Sequence, residues 1–530
     1  MDFSPLKGDS MNSHRLLVNS VSVLALVVGA SLSTTAFAYT HSTPPLHPVG
    51  HVGPYLPPYH HADPTKTGSW TTLKNSFPGS GPDTSLLMTD GTVITHDVCT
   101  SNWYRLTPDS TGNYANGTWT TMPAMPSNYQ PLYFASQVLP DATSRVIVQG
   151  GEYNSGCQDD HTNLGAIFDP ATNKWTAVTA PNNWGQIGDA QSVVLPGGQY
   201  MLADCCNSNE AIGAVAASPS ETVTWTTTGT GKADSNNEEG WTLLPDGNII
   251  TVDANKQLGS GPNASELYTT KKGSWASAGN TANDVVDAGS HELGPAVLRP
   301  DGTVFQVGAT GNNDVYTISS GAWTAGPSFP LSGYDEADGP AALLPDGNVF
   351  MQASPGVFNT PSHFFEFDGT KITQVNDPNG GTDYSSYDGR MLVLPTGQIY
   401  WTVDSGDIEI YTPKGKAKGS WAPKITSAPN SVTHGGTGYS ISGKGLNGLS
   451  LGASYGDDAQ MATNYPIVRI TNTGTGAVCF GRTYNFATST DIKAKSTTTF
   501  DVPSTCTAGA STLQVIANGI ASKAVDVTVN

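Results

Sequence analysis

Acidic residues stand at regular intervals ahead of one recurring local pattern in this chain. Asp83, Asp189, Glu238 with Glu239, Glu292 beside His291, Glu336 with Asp338, and Asp388 beside Tyr387 each precede a short apolar run, a tight turn and a second apolar run. Carboxylates brought together can hold a hard cation through oxygen, or divide into an acid and a base that cleave a glycosidic bond. The plainer role for any single acid is to cap a loop or bond a neighbouring backbone N–H. A ring of six is costlier, because like charges in a low-dielectric space raise one another's pKa. Asp388, Tyr387, Asp189, Glu292 and His291 are therefore the candidate catalytic residues, Tyr387 and His291 also being suited to a lyase. Asp83, Glu239, Glu336 and Asp338 are candidate ligand-binding residues.

The element that must position them is a β-hairpin written seven times. Its copies are "DTSLLMTDGTVITHD", "LYFASQVLPDATSRVIVQGG", "GDAQSVVLPGGQYMLAD", "EEGWTLLPDGNIITVD", "HELGPAVLRPDGTVFQVG", "EADGPAALLPDGNVFMQAS" and "YDGRMLVLPTGQIYWTVD". A spacing of about fifty residues is the period of kelch-type propeller blades. One four-stranded sheet cannot cover both of its faces, whereas sheets packed radially cover each other. A strand with Trp follows the first five hairpins (Trp119, Trp175, Trp225, Trp275, Trp323), and Ile372 takes that place in the sixth. None follows the seventh, but "GSWTTL", with Trp70, precedes the first. The N-terminal strand is thus expected to complete the last blade and close the ring, with the tryptophans as packing residues. An all-β, seven-bladed kelch-type β-propeller over residues 66–420 follows. Its acids would start the innermost strands and face one mouth of the channel, the second blade alone lacking one.

Composition agrees: 530 residues with 59 Gly, 36 Pro and only 13% charged residues describe a turn-rich β protein. The net charge of −20 argues against nucleic acid and anionic membranes as partners. Residues 1–38 read as a signal peptide, with Arg15, an apolar stretch and a small-x-small site ending at Ala38. The mature chain is expected to be secreted or periplasmic and monomeric, with no membrane span. Residues 39–65 form a Pro/His-rich arm. Residues 423–530 change to short alternating strands, as in an immunoglobulin-like β-sandwich. Six cysteines suit an oxidising compartment. Cys479 and Cys506 are natural partners, and Cys99–Cys157 is favoured for a second pair. Cys205 and Cys206 are left to pair with each other or stay reduced, so connectivity is open.

The signal peptide, kelch-type propeller and C-terminal immunoglobulin-like domain together resemble the galactose oxidase and glyoxal oxidase family of copper radical oxidases. That resemblance implies an axial copper, held by a tyrosine followed by a histidine, a second tyrosine bonded to a cysteine, and a histidine from the C-terminal domain. Here the Tyr-His pair is Tyr387-Asp388, and no cysteine stands near Phe134 or Ala135. The radical tyrosine falls near Asp189, and the C-terminal histidine maps to "RTYNFATSTD", with Tyr484 in its place. Tyr484 thereby joins the candidate ligand-binding residues. Copper(II) prefers imidazole and tetragonal N/O sites, so the resemblance implies a divergent member without copper-radical chemistry. The expected function is an exported propeller protein whose acidic funnel binds a carbohydrate, another small polar ligand, or a cation such as Ca²⁺. The alternatives are a carbohydrate-active hydrolase or lyase, and a copper radical oxidase acting on primary alcohols or aldehydes.

Overall fold

The computed structural model describes residues 67–530 apart from 257, 260, 379–382, 405–407 and 459–460. The expected signal peptide and nearly all of the Pro/His-rich arm lie outside the described residues. Seven antiparallel sheets follow one another along the chain, and each begins with one of the seven hairpins. Blade 1 is Pro82–Leu87, Val93–Asp97, Trp103–Thr107 and Thr118–Thr121; its first two strands are wholly buried. The turns explain the repetition. In the sixth hairpin Gly347 takes φ +91°, open to glycine without strain, and the Asn348 N–H donates to Asp346 Oδ1 at 3.0 Å.

The ring closes as expected. Ser69–Thr72 pairs antiparallel with Ile408–Thr412 as the outer strand of blade 7, beside Ile399–Val403 and Gly389–Val393. No blade of the ring is left with an unpaired partner strand at this junction, which removes an aggregation-prone edge.

The tryptophans do more than fill space. Trp70 Nε1 donates to Asn376 O (2.6 Å), Trp119 Nε1 to Asn75 O (3.1 Å) and Trp225 Nε1 to Thr179 O (2.9 Å). Trp275 Nε1 reaches Glu210 and Trp323 Nε1 reaches Ser265 Oγ (2.8 Å). In each case the acceptor belongs to the preceding blade or the segment leading from it. The indole therefore clips five of the blades to their predecessors with one directed bond as well as apolar area; in blade 2 the Trp175 Nε1 is buried and meets no acceptor among the described residues.

The C-terminal strands form one curled nine-stranded sheet rather than two separate ones. Val478–Tyr484 pairs with both Ile467–Asn472 and Lys495–Asp501, which makes the two layers continuous. Ile441, Val468, Phe500, Leu513 and Val527 fill the space between the layers. All three disulfides are formed: Cys99–Cys157, Cys205–Cys206 and Cys479–Cys506. No described helix is long and apolar enough to cross a membrane.

One excursion from this sheet matters most for function. Between Tyr439–Lys444 and Ile467–Asn472 the chain leaves the sheet and enters the propeller channel. Ala453–Ser454 adds a fifth strand to the inner side of blade 6, pairing with Ala341 and Ala342. Leu343 N donates to Gly452 O at 2.7 Å, so this finger runs from the turn end of the inner strand towards its start. Asn518 anchors its base, accepting from Leu449 N (2.9 Å) and donating to Ser450 O (2.9 Å).

Candidate functional site: an axial carboxylate cage

Ahead of five inner strands the backbone passes through the left-handed region, at Tyr133 (φ 52°), Gly188 (68°), Glu238 (58°), His291 (70°) and Asp338 (60°). Such conformations are strained for residues with a side chain and persist where surroundings impose them. Here they turn the side chains at the blade starts. At Gly188 a side chain would collide with Cys205 Sγ, so glycine is required.

Asp189, Glu238, Glu292 and Asp338 meet at the channel mouth, joined by Glu152 of blade 2 and by Asp457 and Asp458 from the finger. Two triads interlock. Asp189, Glu238 and Asp457 each offer an oxygen within 4.8 Å of the others, and so do Glu238, Glu292 and Asp338. Glu238 belongs to both. Gly456 is the contact point of the finger, since a side chain there would strike Asp338.

The electrostatics of this group are unfavourable without a counterion. Burial first, and Asp458 second, push Asp189 up to about 8. Burial also raises Glu238, Glu292, Asp338, Asp457 and Glu152 well above the carboxylate range, and neighbouring acids raise them further. Glu238 and Glu292 offer oxygens within 4.8 Å of each other, so the charge on one opposes ionisation of the other. Asp189 Oδ1 and Glu292 Oε2 are buried and meet no hydrogen-bond donor among the described residues.

One cation stands beside the cage. The Arg390 guanidinium lies 3.9 Å from the Tyr455 ring centroid and 4.9 Å from that of Tyr133, and the two rings are near-parallel at 17°. Its Nη1 donates to Tyr387 O (2.7 Å) and its Nε lies 3.4 Å from Asp83 Oδ1. Burial would lower the Arg390 pKa, but Tyr455, Asp83 and Asp458 more than offset this and raise it. Burial likewise opposes the charge on Asp83, yet Arg390 and His96 hold it below the ordinary value.

Of the residues expected at the site, Asp189, Glu238, Glu292 and Asp338 come together. Asp83, Tyr387 and Asp388 line its flank around Arg390; the Asp388 carboxylate accepts from Ser385 N at 2.9 Å. Four of the expected residues lie elsewhere. Glu239 follows Glu238 in the chain and points the opposite way, into the blade, where Lys232 Nζ sits 3.0 Å from it. That lysine is also 2.5 Å from Asp234 and 2.9 Å from Glu266. Glu336 is buried near Asp335 and the Gln352 backbone, away from the cage. His291 Nδ1 is 2.7 Å from Asn255 Oδ1, turned aside by its left-handed backbone. Tyr484 stays in the C-terminal sheet, its hydroxyl donating to Asp501 at 3.0 Å, because a different segment reaches the axis.

The second blade does supply an acid, but Glu152 follows its second strand instead of preceding its first. Asp457 and Asp458 also escaped sequence reasoning. Their signal was an acidic pair, "GDDAQ", within a C-terminal segment otherwise rich in lysine.

No protein-family model and no curated protein matches this sequence. Among solved structures, it is similar to a fungal alcohol oxidase of the AA5 family in complex with copper, at 15% identity over 85% of each chain (TM-score 0.41). A streptogramin B lyase is 10% identical, covering 66% of this chain and 98% of the other (TM-score 0.45). A virginiamycin B lyase from Staphylococcus aureus, in complex with quinupristin, is 9% identical over 65% and 99% (TM-score 0.45).

Proposed function

We propose that this chain is a cation-binding propeller whose axial cage takes a hard divalent ion of the Ca²⁺ class. The observation that carries this reading is the pair of interlocked triads, each including a carboxylate with a buried oxygen that meets no donor: Asp189 in one and Glu292 in the other. Oxygens bound to one Ca²⁺ at about 2.3–2.6 Å lie within roughly 5 Å of each other, and both triads satisfy that limit at 4.8 Å. An all-carboxylate set is the donor chemistry of Ca²⁺, Mg²⁺ or Mn²⁺. It does not fit the copper of the resembled oxidases, since neither triad contains an imidazole. The ion would in turn give a polyhydroxylated ligand such as a carbohydrate a point of attachment at the channel mouth.

Calorimetric titration of the EDTA-treated protein with Ca²⁺, and metal analysis after desalting, test the reading. Saturable binding supports it, and no binding of Ca²⁺, Mg²⁺ or Mn²⁺ overturns it.

A further inference from the structure

The chain as a whole carries 44 acidic and 24 basic residues, but its C-terminal part reverses the balance. Residues 414–530 hold ten Lys+Arg against five Asp+Glu, and two of those five, Asp457 and Asp458, are withdrawn into the propeller axis. Such asymmetry within one chain points to an anionic partner for the basic part.

Three of these lysines are in register. Lys424 pairs with Lys444 across Lys424–Ser427 and Tyr439–Lys444, and Lys444 pairs with Lys495 across the next ladder. Directly paired residues share a face and like charges there repel. All three are exposed. Two positions along, Ser442 pairs with Thr497, and at a bulge in the first strand Thr426 Oγ1 donates to Ser442 O at 3.1 Å. Five of these six residues line a groove of about 730 Å³, Lys424 alone lying outside its wall. A row of ammonium groups beside a row of hydroxyls, on strands about 4.8 Å apart, is complementary to a chain that alternates negative charge with hydroxyl groups.

We propose that this face of the C-terminal sheet binds an acidic polysaccharide. Carboxylate or sulfate groups sit on Lys424, Lys444 and Lys495, and sugar hydroxyls on Thr426, Ser442 and Thr497. The hydroxyl row favours a glycan over a nucleic acid, whose single strands need exposed aromatic stacking platforms, whereas the aromatic ring in the groove wall, Phe486, is buried. A membrane surface would call for apolar side chains to insert, yet the one large hydrophobic exposed among the described residues, Phe358, lies beside Tyr387 at the axial site.

The test is affinity electrophoresis of the full-length protein in EDTA, which removes any contribution from an axial cation. Polygalacturonate and heparin serve as uronate and sulfated probes, with a neutral glucan, duplex DNA and anionic phospholipid vesicles as comparisons. Retention by either acidic glycan, and none by the glucan, is expected. The triple variant K424Q/K444Q/K495Q should abolish retention or, at low salt, lower the slope of log affinity against log salt by about two. K444Q alone should give an intermediate loss and K523Q, in the exposed loop ahead of Val525–Val529, none. Three outcomes would overturn the proposal: neither glycan is retained, DNA or vesicles bind as tightly, or the triple variant behaves as the parent.

Discussion

Replacing Glu238 by Gln should change the stability of this protein in opposite directions with and without calcium. Glu238 belongs to both triads, so the variant removes an anionic donor from each. Without a cation, two unit charges no more than 4.8 Å apart repel by roughly 3.5 kcal/mol or more at an effective dielectric constant of 20. Proton uptake by the cage, driven by burial and then by mutual repulsion, relieves most of this. About 1–2 kcal/mol remains for the variant to gain. With calcium at a hundred times its Kd, the parent gains about 2.7 kcal/mol by mass action, and the variant gains little. Scanning calorimetry at pH 8 should therefore show E238Q melting a few degrees above the parent in EDTA and below it in calcium. Equal calcium shifts in both proteins would refute the reasoning, as would a variant that melts lower under both conditions.

Other expectations concern the supporting structure. Lys232→Met leaves Asp234, Glu239 and Glu266 without their shared cation, and should cost about 3–5 kcal/mol in urea unfolding. Glu210 is buried against the Trp275 indole, and burial raises its pKa from 4.5 to about 8. The folded state therefore holds an extra proton, and its stabilising effect is complete below about pH 4.5 and fades as pH rises through 8. Glu210→Gln should flatten that decline, by roughly 3–5 kcal/mol across the window; an unchanged slope would show that Glu210 does not titrate there. Replacing Cys479 and Cys506, 27 residues apart, by Ser should lower the stability of the C-terminal sheet by about 2–4 kcal/mol without altering calcium binding.

The blades were legible because each carries an apolar run and a turn with Asp or Gly, and the first five add a Trp strand at a fixed distance. Ring closure was legible for the same reason, as Trp70 supplied the strand that the seventh hairpin lacked. The cage was legible only in part. Glu238 and Glu239 are indistinguishable by type, and which one faces the axis is set by a left-handed backbone residue that leaves no mark in composition. Glu152 follows its second strand, as Asp204, Asp253 and Asp404 follow those of blades 3, 4 and 7, and residue type does not tell which of these joins the cage. The finger pairs Ala453 with Ala342, more than a hundred residues earlier, through backbone bonds that any sequence could make. Only the Asn518 anchor and the glycines at Gly452 and Gly456 hint at its close approach, and those need the fold to be understood.

Because Asp457 and Asp458 arrive on that finger, the cage is assembled last during synthesis. A ribosome that stalls after the seventh blade yields a ring already sealed by Ser69–Thr72 but missing two of the carboxylates and the tyrosine that stacks on Arg390.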